Sequence, residues 1–189
     1  SGGGDQADYY ISGRFYDMDG IYKVGNDSYK KYDVRAKGTL KVRPWLRLTN
    51  NMSVSVIDAY EPKHQKNNSQ IPRLINHTAM LSPVKNPDGT WTAAAAKSGY
   101  AAFSEGTSWR TNDYVYLRNK FDVNIDLVKD VLTASVDYSY NYTNRKRMDA
   151  QTVIEYSKKP GEILYESEAA GSNLQSVEYQ TRYQSANAY

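Results

Sequence analysis

The feature that most constrains this chain is a period-two alternation held for ten residues or more, again and again. The clearest run is Lys31 to Val42. Tyr32, Val34, Ala36, Gly38, Leu40 and Val42 fall on one side, and Asp33, Arg35, Lys37, Thr39 and Lys41 on the other. Successive strand side chains point to opposite faces, so this is a strand with one apolar and one charged face. The same pattern covers Tyr9 to Phe15, Leu46 to Val56, Val115 to Leu127 and Leu132 to Thr143, and a last run starts near Val177 and continues to Tyr189. Helical spacing is nearly absent. A strand in a soluble domain has about five or six residues. About ten is the length that crosses a bilayer at a tilt.

The connections alternate as well. Tight turns are predicted at Arg43-Pro44-Trp45 and at Val128-Lys129-Asp130, whereas the links Asp17 to Lys30, Ala59 to Asn112 and Asn144 to Ser176 are long. Short turns at one end and long loops at the other characterise outer-membrane barrels. Within a soluble domain, a structureless loop of about fifty residues would count against the strand assignment. Alternation itself does not separate a barrel from a sandwich. In a sandwich the apolar face meets a second sheet, and in a membrane barrel it meets lipid. Strand length, loop asymmetry and the placing of aromatics favour the barrel. Trp45 sits at a short turn, and Tyr138, Tyr140 and Tyr142 lie on the apolar face toward the long-loop end, as an interfacial girdle requires. Asn50 and Asn119 fit poorly on that face. Either they share hydrogen bonds across neighbouring strands, or they mark bulges that shift the parity.

Composition narrows the function. The 189 residues include 18 Tyr beside 3 Phe and 3 Trp. A buried Tyr must find a partner for its hydroxyl, so such a chain places its aromatics where one end is apolar and the other wet: carbohydrate-binding surfaces and membrane interfaces. The absence of Cys removes disulfide scaffolds, thiolate metal sites and cysteine nucleophiles. A net charge of +3 gives no reason to expect a nucleic-acid partner. No run approaches the roughly 18 apolar residues of a spanning helix. Ser1-Gly2-Gly3-Gly4-Asp5 carries no apolar stretch of the kind a secretory signal needs.

Several segments also resemble a known family. Ser1-Gly2-Gly3-Gly4-Asp5, Tyr9-Tyr10-Ile11-Ser12-Gly13 and Gly20-Ile21-Tyr22 resemble the start of the barrel in SusC/RagA-type TonB-dependent outer-membrane receptors. Lys31-Tyr32-Asp33-Val34-Arg35-Ala36 is similar to that family's second strand, and Trp45-Leu46-Arg47-Leu48 to its first periplasmic turn. Ser82-Pro83 and Pro87-Asp88-Gly89-Thr90 are similar to a segment of its long loop. The likeness is strongest over about the first sixty residues. The resemblance implies that residues 1–189 are the N-terminal part of a receptor barrel, lacking the plug domain and the remaining strands: about six strands of a plugged barrel that uses about 22. It further implies import of glycans or peptides across the bacterial outer membrane, a SusD-like lipoprotein lid, and energy from the TonB complex acting through the plug.

No catalytic constellation is present. The sequence has no G-x-S-x-G, no phosphate loop and no H-E-x-x-H. Asp17, Asp19 and Gly20 match too little of a calcium loop to be more than a turn. His64 and His77 lack neighbouring acids at ligand spacing and read as loop residues. No enzyme, cofactor or metal site is therefore expected. The N-x-S/T matches at Asn26 and Asn67 read as chance occurrences. The candidate ligand residues are Trp109, Tyr114 and Tyr116. By parity Tyr114 and Tyr116 share the polar face with Arg118 near the outer mouth. They line a ligand site, or they pack the loop against plug or lid. The charges Arg35, Lys37, Lys41, Arg118, Lys120, Asp122, Asp126 and Asp137 fall on the lumen side, as plug-binding groups or as a solvated wall. The expected fold is thus all-β, antiparallel strands of a transmembrane β-barrel contacting the lipid bilayer. The alternative is a soluble, secreted, carbohydrate-binding β-sandwich.

Overall fold

A computed structural model describes residues 1–20, 26–63, 82–105, 107–128, 131–162, 165–166 and 173–189. The fold is all-β. Its strands are β1 (Gly2–Gly3), β2 (Ala7–Asp19), β3 (Ser28–Arg43), β4 (Leu46–Pro62), β5 (Trp109–Val128), β6 (Leu132–Gln151), β7 (Glu155–Tyr156), β8 (Tyr165–Glu166) and β9 (Asn173–Ala188). Among the described residues, two short helices, α1 (Ala93–Ser98) and α2 (Tyr100–Glu105), lie between β4 and β5. One antiparallel sheet runs β1-β2-β3-β4-β5-β6-β9 and is not closed. Each long strand pairs with the next long strand in sequence, as an up-and-down meander does.

Both tight turns fall where expected. Pro44 and Trp45 join β3 to β4, and the Val131 amide donates to the Val128 carbonyl at 3.0 Å between β5 and β6. Lys129 and Asp130 lie outside the described residues. The ladder shifts register beside these turns, at Lys41/Arg43 and at Asp126/Val128. The β4–β5 ladder runs without a break from Leu46↔Ile125 to Pro62↔Trp109. Asn50 and Asn119 therefore mark no bulge. Both sit on the apolar face, and the Asn50 side-chain amide donates to the Asn119 carbonyl oxygen at 2.8 Å.

The strands exceed the alternation at their long-loop ends. β6 continues from Asn144 to Gln151, and β5 begins at Trp109 rather than near Val115. In Asn144-Arg145-Lys146-Arg147 both faces are polar, so the side-chain period vanishes while the backbone ladder carries on. The linkers are correspondingly shorter than the sequence suggests, and one contains the helices that the periodicity did not reveal. Thr92 caps α1 by accepting from the Ala95 amide, the run Ala93 to Ala96 favours helix, and Gly99 ends it at φ 80°.

Register joins the strand faces into two continuous surfaces. On one, Gly13↔Val34↔Val54↔Leu117↔Tyr142 and Leu40↔Leu48↔Val123↔Val136 form rows across the sheet. These apolar residues are not covered: Ile11 is 64% exposed, Phe15 59% and Val34 52%. Among the described residues the other sheet is the β7–β8 pair, and no layer stacks on the long strands. The second sheet that a sandwich would place on this face is thus not found among them. On β5 the apolar band runs from Val115 to Ile125. Ten residues at about 3.3 Å each give about 33 Å, or about 25 Å at a tilt of about 40°, which is the height of a barrel's lipid-facing band. The band steps down from strand to strand. On β9 it is represented by Ala186 and Ala188, while Gln184 and Arg182 lie opposite Tyr140 and Tyr142. Directly beyond the band, Asp17, Lys30, Asp58, Asp113, Lys146 and Glu178 make one charged row across the same face.

The buried apolar core lies in the loops, not in the sheet. Ala101, Ala102 and Ile154 form it, with Trp91 packed against them. The segments after β4 and after β6 fold onto each other there: the Ser157 amide donates to the Trp91 carbonyl at 2.9 Å, and Thr92 bridges Ser157. Asp88 ties the two segments together. Its carboxylate accepts from the Thr90 hydroxyl at 2.6 Å, the Thr90 amide at 3.0 Å and the Gly161 amide at 2.9 Å. Gly89, at φ 86°, supplies the left-handed residue this turn needs.

Candidate functional site

The face opposite the apolar band is polar and carries the charges expected of a lumen wall. Arg35↔Ser53↔Arg118↔Asn141 and Lys37↔Asn51↔Lys120↔Ser139 are rows of it, and Asp122 pairs with Asp137. Lys41 and Asp126 share it by parity. Toward the long-loop end the rows become aromatic. Tyr114 lies beside Arg145 and then Tyr179, and Tyr116 beside Thr143 and then Thr181. Arg118 lies beside Asn141 and then Tyr183. Four tyrosines therefore surround Thr143 and Thr181 on a patch three strands wide.

Two of the rings lie parallel to each other and two are well exposed. Tyr114 and Tyr116 stack with centroids 5.9 Å apart and planes 4° from parallel. The Arg145 guanidinium stands 5.2 Å from the Tyr114 ring centre, close enough for cation–π attraction. Tyr179 and Tyr183 are 58% and 62% exposed. A pyranose offers an apolar face of C–H groups with hydroxyls around its rim. Aromatic rings are suited to the first of these, and hydroxyl and amide groups such as those of Thr143, Asn141 and Ser53 to the second. A shallow groove of about 190 Å³ runs from Lys31 past Ser53 and Ser55 to Tyr116 and Arg118. A neighbouring one of about 430 Å³ continues from Arg118 past Asn51 to Asn141.

An ion cluster bounds the patch on the loop side. Arg110 grips Asp149 with Nε at 2.6 Å and Nη2 at 3.4 Å. Arg147 Nη2 reaches the same carboxylate at 2.7 Å and Lys63 Nζ at 3.6 Å, while Arg110 Nη1 lies 3.5 Å from Glu61. The Arg110 and Asp149 side chains are 8% and 10% exposed, so this pairing holds in a largely dry setting. It clamps the ends of β4, β5 and β6 beneath the folded loops. The clamp fixes Arg110, Arg147 and the strand ends that carry Tyr114 and Arg145.

The structure brings Tyr114 and Tyr116 together but separates Trp109 from them. Trp109 pairs with Pro62 and Ala150, falls on the face of Val115, and stacks on Tyr60 at 6.2 Å between centroids. Odd and even residues of one strand face opposite ways, so Trp109 shares no site with the two tyrosines. Trp45 is 50% exposed at its turn, and Tyr138 is 42% exposed on the apolar face with Tyr140 and Tyr142 half-buried beside it. Tyr142 carries the Arg182 guanidinium 5.7 Å from its ring centre. Asp17 and Asp19 lie within β2 rather than in the turn expected of them, because the ladder with β3 continues to Asp19↔Ser28, and Asp17 makes an ion pair with Lys30 at 3.9 Å. Among the described residues there is no group of three or more His, Asp or Glu placed to hold a metal ion. His64, His77, Asn67, Ile21 and Tyr22 lie outside the described residues.

Sequence reasoning missed Arg145, Tyr179 and Tyr183. The signal for the last two was the alternation Val177, Tyr179, Thr181, Tyr183, but its face is set by the register of β9 against β6, which places Tyr183 opposite Asn141. No family model matches the chain, and no curated protein matches it.

Proposed function

We propose that this chain is a stretch of the wall of an outer-membrane receptor barrel of the SusC/RagA type, serving energy-driven import of glycans or peptides. One observation carries the reading: an apolar face, running from Val115 to Ile125 on β5, is left open across long strands whose other face is polar. Uncovered side chains such as Ile11, Phe15 and Val34 would be costly in water, at about 25 cal/mol per Å² of apolar surface, and are at home against lipid tails. In this reading Trp45 marks the periplasmic interface and Tyr138, Tyr140 and Tyr142 the outer one. The long loops stand outside the cell, where a SusD-like lid would meet them. The plug, and through it the TonB complex, would act on the polar face. The tyrosine patch is the ligand-contacting part of the wall, and no bond of the substrate is made or broken.

The chain contains no cysteine, so within it each introduced thiol stands alone. Single cysteines at Val34, Val54 and Leu117, and at Lys37, Thr39 and Lys120, are exposed to a membrane-impermeant maleimide in the protein reconstituted in vesicles. The first set should be protected and the second labelled. Equal labelling of both sets would end the membrane reading and reopen that of a soluble carbohydrate-binding protein.

A further inference from the structure

The tyrosine patch has a charge that a site for neutral sugar does not need. Across β4, β5, β6 and β9, the rows from Tyr114 to Arg118 contain Arg118 and Arg145 and no acidic residue. On β3 the nearest carboxylate, Asp33, is held by Lys31 at 3.2 Å and by the Ser55 hydroxyl. Arg118 is exposed and makes no hydrogen bond or ion pair with any described residue. Arg145 is half-buried. Its Nη2 donates to the neutral Asn112 side chain at 3.3 Å, and its Nε is buried without a partner among the described residues. A buried guanidinium N–H left unpaired is expensive, and guanidinium groups are usually matched by carboxylates. Elsewhere on the same face some cations are matched, Lys120 by Asp122 at 2.7 Å and Arg110 and Arg147 by Asp149, while Arg35 meets only the neutral Asn51 side chain. In the patch, Arg118 and Arg145 stand beside exposed rings with no carboxylate partner among the described residues.

Resting on the sugar-binding reading above, we infer that this site takes an acidic oligosaccharide. Tyr114, Tyr116, Tyr179 and Tyr183 stack on its rings, while Arg118 and Arg145 at opposite ends of the patch read its acid groups. The guanidinium fork suits carboxylate and sulfate esters alike, since both present coplanar oxygen pairs to it. Neighbouring stacked rings suit a sugar better than an acidic peptide, whose side chains offer no flat apolar face.

The test is equilibrium binding of oligogalacturonate, of its neutral methyl ester and of oligoglutamate to the detergent-solubilised protein. Wild type is compared with Arg118→Gln, Arg145→Gln and Tyr116→Ala, with Lys41→Gln as a control for charge far from the patch. The acid sugar should bind at least tenfold more tightly than its ester. Arg118→Gln and Arg145→Gln should each remove most of that difference, and Lys41→Gln should not. Arg118 is exposed, so its variant keeps the test valid if Arg145→Gln does not fold. If acid and ester bind equally and both depend on Tyr116, the charge inference is overturned and the sugar reading survives. If oligoglutamate binds as tightly as the acid sugar, the site is for peptides and the inference fails. If none of the three binds, the inference and the sugar reading fall together.

Discussion

Asn50 and Asn119 offer the sharpest test of what the apolar face touches. They lie near the middle of the band on β4 and β5, joined by one amide hydrogen bond of 2.8 Å. Replacing Asn50 by Leu leaves the Asn119 amide without its partner. In water the lost bond is replaced by solvent, and the net cost is small. In hydrocarbon nothing replaces it, and an orphaned polar group costs about 1–3 kcal/mol. Replacing both by Leu removes the problem altogether. A double-mutant cycle isolates this term. With lipid on that face, the coupling between Asn50→Leu and Asn119→Leu should be about 1–2 kcal/mol, and the double variant should be as stable as wild type or more so. With water there, the coupling should fall below about 0.5 kcal/mol. The assay is urea titration of folding into phosphatidylcholine vesicles, followed by tryptophan fluorescence. The denatured reference is hydrated, so its amides do not find partners in the membrane and blunt the effect. Two singly destabilised variants whose costs simply add would refute the reasoning.

Other perturbations follow from the same geometry. Met52→Arg places a charge mid-band and should cost about 2–4 kcal/mol in that titration, whereas Thr39→Arg on the polar face should cost under about 1 kcal/mol. Asp149→Asn leaves Arg110 in a dry site with the more distant Glu61, and should loosen the loop ends by about 2–4 kcal/mol, seen as faster amide exchange over residues 107–112 and 146–152 while β3 is unaffected. The Thr90 hydroxyl, then the Gly161 and Thr90 amides, hold the Asp88 carboxyl below the usual carboxylate range. A lowered folded value stabilises above the unfolded value of about 3.9 and is lost as pH falls through the folded one. Limited proteolysis of residues 82–105 should therefore accelerate as the pH falls below about 4, and Asp88→Asn should be cleaved at the faster rate already at pH 7.

The sequence by itself determined the long strands, both tight turns, and the division of Lys31 to Val42 and of Val115 to Leu127 into apolar and polar sides. It did so because side-chain direction in a strand has a period of two, and because only strand and face decide it. It located Tyr114 and Tyr116 on the polar face by the same rule, and the rule sends Trp109 to the other side once β5 is known to start there without a bulge. What the tertiary structure decided is everything that depends on which strand lies beside which, and at what offset. The hydrogen bond between Asn50 and Asn119, the gathering of Arg145, Tyr179 and Tyr183 around Tyr114, and the clamp on Asp149 all join residues far apart in the chain. Their proximity is written in backbone pairing, which carries no residue code. The loop core of Ala101, Ala102 and Ile154 is of the same kind. Its helices are too short for their period to stand out, and they are held by burial against a segment contributed from beyond the next two strands.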